Sequence, residues 1–254
     1  MPAERSESSM LARATTPLVY LLLLVMWEAS VRAFRIPGWM LPAPSAIVLT
    51  AKDWAPDLVH HSLVTLNETV VGFLLALVTS LPLAILIAFT VTLRRLLYPI
   101  LLGLQSVPKV ALAPLVILWL GIGSLPKIVI VILVCFFPIL VNVVAGFEAV
   151  PKAMLDLMHS MRASEASIFR RLRIPIALPH LFTGCKIAIT FAVIGAVISE
   201  FVAAQDGLGY LIMISTAQSQ TPLAFAAIIL LTVISVVLFY AVEFLERRCV
   251  TWTP

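Results

Sequence analysis

Four charged side chains stand inside segments that are otherwise apolar: Glu28, Glu68, Lys109 and Glu200. A charge inside a membrane costs several kcal/mol, so each of them indicates a function or a partner. Glu28 lies near a segment end, where snorkelling to the interface explains it. Glu68, Lys109 and Glu200 are candidates for a translocation pathway or gate. Helix packing for Glu68, and an ion pair between Lys109 and Glu200, are the structural alternatives.

Enzyme chemistry has no support in the sequence. The chain contains no HExxH, GxSxG or paired-aspartate motif, and no GxxxxGK[ST] phosphate loop. Its four histidines, His60, His61, His159 and His180, lack the spacing of a metal site. Its three cysteines lie in or beside apolar segments, as packing residues do. We therefore expect no catalytic residue, metal or cofactor.

Composition places the chain in a membrane. Of 254 residues, 61% are hydrophobic and only 12% are charged, which is too little polar surface for a soluble protein. Because backbone groups must be paired inside the bilayer, the spans are expected to be helices. The sequence predicts six, with approximate bounds 17–34, 63–91, 96–120, 125–147, 178–204 and 222–245. A cleaved signal peptide is the alternative for the first.

The distribution of basic residues predicts the orientation. With the amino terminus inside, twelve lysines and arginines face the cytoplasm and four face outward, a clear positive-inside bias. Both termini are then cytoplasmic. The twelve are Arg5, Arg13, Arg94, Arg95, Lys152, Arg162, Arg170, Arg171, Arg173, Lys186, Arg247 and Arg248; the four are Arg32, Arg35, Lys52 and Lys127.

A polar, basic segment interrupts the apolar sequence at residues 150–179. Pro151 is suited to open a helix, and Ser164 to cap a second one, which Pro175 and Pro179 are expected to end. The first helix has an apolar face of Met154, Leu155, Met158 and Met161. Two interpretations stand: a loop whose arginines contact lipid headgroups, or a docking element for a soluble partner.

Two shorter elements are predicted on the outer side. Residues 35–61 form a surface loop with a short interfacial helix near Ser45–Trp54, in which Ser45 is the expected N-cap. After Glu200, the glycines Gly207 and Gly209 predict a turn and a short re-entrant helix that reaches about Ser219.

The polar segment resembles the cytoplasmic loop of permease subunits of binding-protein-dependent ABC importers. That loop has Glu-Ala-Ala, a later glycine and a Leu-Pro ending. The aligned residues here are Asp156, Leu157 and Met158, then Arg162 in place of the glycine, then Leu178 and Pro179. SVPKVALAPLVILWLGIG (106–123), MLPAPSAI (40–47) and GLGYLI (207–212) resemble the nitrate, sulfonate and taurine branch, which also contains thiamine-precursor and riboflavin permeases.

The resemblance implies a fold, an organisation and partners. The fold would be an all-α polytopic membrane protein of the type I importer class, with a coupling helix in its cytoplasmic loop. Residues 1–16 and 249–254 would be cytoplasmic tails around one permease domain, 17–248, in a prokaryotic inner membrane. Partners would be two ATPase subunits that bind the ATP, a second permease copy in a homodimer, an extracytoplasmic solute-binding protein and lipid, but no nucleic acid. The ATPase contact would fall on Met154, Leu155, Asp156, Met158, Met161, Arg162, Ala163 and Ser164.

The implied function is uptake of a small polar solute or anion without enzymatic activity in this chain. The substrate classes of the branch are pyrimidine thiamine precursors, riboflavin-like molecules, sulfonates, taurine and nitrate. The segment around Glu200 resembles the pyrimidine and flavin members more. The alternative is an ion-coupled secondary transporter, which would show inverted repeats and would leave the polar segment unexplained.

Overall fold

A computed structural model describes residues 3–203 and 205–252, and every regular element among them is helical. The predicted all-helical class is confirmed. The predicted end of the fifth span, Ala204, lies outside the described residues, as do positions 1–2 and 253–254 of the predicted tails. The helices are α1 (Ala3–Ala33), α2 (Pro44–Asp53), α3 (Ala55–Phe89), α4 (Val91–Gln105), α5 (Ala113–Leu120), α6 (Ser124–Glu148), α7 (Lys152–Ser160), α8 (Glu165–Ile168), α9 (Ile174–Ala203), α10 (Leu208–Ala217) and α11 (Thr221–Cys249).

Several of these helices are suited to cross a membrane. Within the described residues, four stretches are long and apolar enough: Ala55–Phe89, Ser124–Glu148, Glu165–Val202 and Thr221–Cys249. The bent pair Thr92–Gln105 and Lys109–Leu120 makes a fifth if it is one span. α1 covers nearly all of the first predicted span. A multi-span helical membrane protein is therefore confirmed, whereas the count of six stays a prediction.

The third predicted span is not one helix. α4 ends at Gln105, and a 3-10 turn, Lys109–Leu112, leads into α5 at an angle of 82° to α4. The break falls at Pro108, which has extended backbone with ψ at 96°. Proline has no N–H to donate, and its ring displaces the carbonyl four residues earlier, so the helix stops there.

The prediction that Pro175 and Pro179 end the loop helix is wrong. α8 continues through a π-helix, Phe169–Arg173, directly into α9, with Pro179 inside that helix. Each proline removes one donor but keeps a φ compatible with a helix. The π segment shifts the hydrogen-bond register just before Pro175, where donors are missing. The loop is therefore joined to the membrane by one continuous helical rod.

The chain forms two compact units, and the larger holds His60–Tyr210 with the residues from Leu230 onward. Its centre is the packing of α6 along α9. Small residues recur every fourth position on α9, and all are buried or tightly packed: Gly184, Ala188, Ala192 and Ala196. A Cβ on Gly184 would lie 2.9 Å from the Cβ of Asn142 on α6. Small side chains let two backbones approach closely, which is how helices associate within lipid.

The smaller unit comprises the residues up to Val59 and Leu211–Ile229. Here Glu28 of α1 serves as the acceptor at the start of α2. Its carboxylate accepts hydrogen bonds from Ser45 N at 3.0 Å and Arg32 Nε at 2.7 Å. α2 is the predicted surface helix, but its N-cap is Ala43 rather than Ser45. Glu28 therefore fixes the start of α2, which explains its position better than snorkelling does.

Candidate functional site

Polar side chains from three helices of the larger unit meet in its interior. They are His61, Thr65 and Glu68 on α3, Lys127 on α6 and Glu200 on α9, and we call them the polar cluster. Glu68, Lys127 and Glu200 are exposed by 1%, 6% and 0% respectively. At such burial each charged group needs a specific partner, and the structure supplies one for each.

Glu68 and Lys127 form a buried ion pair. Lys127 Nζ donates to Glu68 Oε1 at 2.7 Å, and Asp206 O lies 3.5 Å from the same nitrogen. Lys127, one of the four basic residues predicted to face outward, is the fourth residue of α6, and its pairing with Glu68 was not predicted. The sequence feature that could have predicted this pair is a lysine just before a long apolar run, together with Glu68 inside another apolar segment. Glu68 Oε2 and Thr69 Oγ1 have no partner among the described residues.

Glu200 accepts hydrogen bonds at the start of α10. Its Oε2 receives Gly209 N at 2.6 Å, and its Oε1 receives the Thr65 hydroxyl at 2.7 Å. The first N–H groups of a helix have no partner within the helix, and a carboxylate is a strong acceptor for them. Glu200 also continues the four-residue spacing of small residues on α9, so it points into the same packed face.

α3 supplies the other two acceptors at this helix start. Thr65 Oγ1 receives Leu208 N at 2.8 Å, and His61 Nδ1 receives Gly207 N at 3.0 Å. His61 and Thr65 are four residues apart and therefore share one face of α3. Three consecutive backbone N–H groups are thus capped by three side chains. The cap joins α3 and α9 to the first turn of α10.

The two glycines of the GLGYLI motif are explained by this cap. Gly207 has φ at 115°, in a region that favours glycine, and a Cβ there would collide with the Glu200 carboxylate. A Cβ on Gly209 would lie 2.8 Å from Glu200 Oε2. The glycines therefore leave the space that the carboxylate occupies.

Lys109 lies apart from the polar cluster. It is half-buried at the 3-10 turn, where Nζ donates to Gln105 O at 3.2 Å and lies 5.2 Å from the centre of the Phe137 ring. Lys109 does not form the alternative ion pair with Glu200, because the Glu200 carboxylate bonds Thr65 and Gly209 instead. Lys109 instead contacts the backbone carbonyl of Gln105, at the end of α4, and the face of the Phe137 ring.

A histidine pair and an aspartate lie at the edge of the polar cluster. His60 Nε2 lies 3.3 Å from Asp206 Oδ1, and His61 Nδ1 lies 4.0 Å from it, so the three groups are close enough to consider a metal. However, His61 Nδ1 already accepts the Gly207 N–H, and a metal would need the same lone pair. The arrangement fits a hydrogen-bonded cap better than a metal site.

The loop between α6 and α9 presents an exposed apolar face. Met154, Leu157 and Met161 are exposed by 49%, 61% and 71%. Their spacing of three and four residues puts them on one face of α7. Leu155 and Met158, expected on that face, are half-buried. Leu157 was not predicted on the exposed face, because that face was assigned to Met154, Leu155, Met158 and Met161.

The end of α7 is a glycine-type turn without glycine. Arg162 has φ at 54°, Ala163 N bonds Met158 O at 3.0 Å, and Arg162 N bonds His159 O at 2.8 Å. This pair of bonds is the Schellman motif. Arginine in the left-handed region costs about 1–2 kcal/mol, yet the turn forms. Ser164 then caps α8 by accepting Ser167 N at 3.3 Å, as predicted.

Long apolar helices joined by an exposed amphipathic loop define a polytopic membrane protein. Residues 80–251 match the family described as binding-protein-dependent transport system inner membrane component, so the chain belongs to that family. It is a permease of the ABC importer type in the inner membrane.

Relatives and a solved structure agree with this assignment. The chain is 34% identical to the formylaminopyrimidine transport permease protein ThiX of Halalkalibacterium halodurans, covering 92% of this chain and 94% of ThiX. It is 36% identical to the riboflavin transport system permease protein RibX of Chloroflexus aurantiacus, covering 93% and 89%. Its fold is similar to a chain of the inward-facing MetNI methionine ABC transporter, with a TM-score of 0.65 at 23% identity, covering 78% of this chain and 97% of that chain.

Proposed function

We propose that this permease is driven by two copies of a separate ATPase, which dock on the loop between α6 and α9. The observation that carries the proposal is the exposed apolar face of Met154, Leu157 and Met161 on a helix outside the apolar spans. Apolar side chains in such a place suit a protein partner, and methionine adapts to its surface. The proposed contact residues are Met154, Leu155, Asp156, Leu157, Met158, Met161, Arg162, Ala163 and Ser164.

The contacts of the loop suit it to transmit a displacement from the ATPase to the membrane helices. The helical rod from Glu165 to Ala203 begins beside α7 and ends next to Glu200. At its loop end, Phe169 packs against Phe89 and Phe147, with ring centres 5.5 and 6.0 Å apart. Movement of the loop would therefore move α9 as one body and reach the polar cluster. Such rigid-body switching between two packings is an established way to change access.

The assembly is proposed on the same grounds. Both termini and the loop lie in the cytoplasm, as the positive-inside distribution of charge favours. Residues 17–248 form the single permease domain, between two short tails. Two copies of this chain form the pathway as a homodimer, and an extracytoplasmic binding protein delivers the solute. ATP binds only to the ATPase, and this chain needs no cofactor.

Lys109 is the proposed pathway residue that the geometry supports best. It is half-buried at a break in the helix, and irregular backbone at membrane depth is tolerated where it lines a cavity. Glu68 and Glu200 have internal partners that favour a structural role. A gate role for either of them stays a prediction.

Docking on α7 predicts that one charge in its apolar face separates the subunits. We expect Leu157→Asp to lower co-purification of the ATPase and ATP-dependent uptake at least tenfold, because a carboxylate would lose its water in the contact. Leu49→Asp on α2 is the matched control, since Leu49 is exposed by 64% and Leu157 by 61%. Retention of the ATPase by the Leu157 variant would contradict the docking surface.

The substrate is proposed to be a small heteroaromatic solute of the pyrimidine or flavin class. This rests on the similarity to the permeases named for formylaminopyrimidine and riboflavin. With the complex in liposomes and its binding protein present, we expect such a solute to stimulate ATP hydrolysis, whereas taurine and alkyl sulfonates do not. Stimulation by taurine alone would reject the heteroaromatic class and leave the docking proposal unaffected.

A further inference from the structure

A basic cavity lies beside the loop, immediately before the membrane helix α9. Its volume is about 530 Å³, and it is lined by Ser164, Ala166, Ser167, Arg170 and Arg171. That volume is in the range of sites that hold small ligands. Two guanidinium groups and two serines make a lining that suits an anion with several oxygen acceptors, such as a phosphate group.

Among the described residues, no acidic group neutralises the two guanidinium groups. Arg94 pairs with Glu148 at 2.8 Å, and Arg173 stacks on the Phe89 ring at 4.4 Å. In the part of the chain that the structure describes, Arg170 and Arg171 have neither kind of partner. The nearby Glu165 is engaged by His159 at 3.2 Å. The Ser164 hydroxyl accepts Ser167 N, so its proton remains available to donate outward.

The cavity lies at the boundary of the apolar spans. Phe169, next to Arg170, packs on Phe89 and Phe147, which lie at the ends of α3 and α6. α9 begins three residues after Arg171. The arginines therefore lie at the level where lipid headgroups meet the ends of membrane helices, and basic pockets there bind anionic headgroups.

We propose that this cavity binds the phosphate of an anionic phospholipid headgroup. The guanidinium groups of Arg170 and Arg171 contact the phosphate oxygens, and the Ser167 hydroxyl lies within the lining to donate to them. Inorganic phosphate shares this chemistry, but the position at the membrane boundary favours a lipid. A lipid bound here rests on α8 and on the π-helix, and therefore ties the rod that leaves the loop to the bilayer surface.

The test compares lipid selectivity of the permease–ATPase complex in nanodiscs of phosphatidylcholine with a small fraction of phosphatidylglycerol. Spin-labelled phosphatidylglycerol and phosphatidylcholine report the lipid that is immobilised on the protein. Each basic residue near an anionic surface contributes about fivefold in affinity. We expect Arg170→Gln/Arg171→Gln to lower the preference for phosphatidylglycerol tenfold or more. Ser167→Glu, which keeps both arginines, is expected to lower it as well.

The control is Arg247→Gln/Arg248→Gln, which removes the same charge from the end of α11 and should change the preference much less, because Arg247 pairs with Glu243 at 2.7 Å and Arg248 stacks on the Phe244 ring. Unchanged selectivity in both cavity variants would overturn the proposal. So would displacement of the lipid label by 20 mM inorganic phosphate, which would identify a soluble anion as the ligand. Loss of the ATPase from the double variant with lipid selectivity intact would assign the arginines to the protein contact instead.

Discussion

Replacing Lys127 with methionine is expected to lower the melting temperature of the purified complex by about 10 °C. The change leaves Glu68 buried without its cation, and breaking one side of a buried pair typically costs about 3–5 kcal/mol. For a chain of this size about 2–4 °C is lost per kcal/mol. The side chains of Lys127 and Glu68 are exposed by only 8% and 2%, so water cannot replace the lost partner. Thermal unfolding in detergent or nanodiscs measures the shift.

A double variant and a second ion pair make this result specific. Glu68→Leu/Lys127→Met should recover most of the loss, because an apolar pair of similar volume removes the unpaired charge. Lys186→Met breaks the pair with Glu246, also at 2.7 Å, but those side chains are exposed by 25% and 19%. Its loss should be smaller than that at Lys127, because these side chains are less buried. Equal losses at Lys127 and Lys186 would refute the argument from burial.

The fold was predictable where it depends on local chemistry and hydropathy. α6 runs from Ser124 to Glu148, within one residue of the predicted fourth span at each end, because a long apolar run needs no other information. Ser164 caps α8 because serine before an acidic first turn is a strong helix start. The exposed loop between two spans followed from the same contrast between polar and apolar sequence.

Other features depend on contacts between distant residues, which the pattern does not contain. Lys127 was not predicted to be in a buried ion pair because its partner, Glu68, is 59 positions away. Glu200 was predicted as a gate residue or an ion-pair partner of Lys109 because the groups that it caps, Thr65 and Gly209 N, come from α3 and from the start of α10. Prolines have different effects along the chain, since Pro108 breaks a helix whereas Pro179, expected to end one, lies inside α9. The neighbouring π-helix, rather than the proline, decides that outcome.

Glu200→Ala is expected to cost about 3 kcal/mol, through loss of the acceptor at the start of α10. Gly209 N would be buried without a partner, and an orphaned buried donor costs about 1–3 kcal/mol, to which the vacated volume adds. The Thr65 hydroxyl keeps a partner in this variant, because it also lies 3.1 Å from His61 O and can donate its proton there. Thermal unfolding of the complex measures this loss, and uptake should fall with it.

Glu200→Gln separates the cap from a charge-dependent gate. The amide oxygen can accept Gly209 N, and the amide nitrogen can donate to Thr65 Oγ1 while Thr65 donates to His61 O, so the groups that Glu200 caps keep a partner and only the second amide N–H gains none. We expect this variant to lose about 1 kcal/mol, less than Glu200→Ala, because the cap is kept and a single amide N–H is left without an acceptor. If Glu200 acts only as the cap, uptake is retained in the glutamine variant. If the negative charge serves as a gate, uptake is lost although the melting temperature falls little, and the alanine variant alone would not reveal that difference.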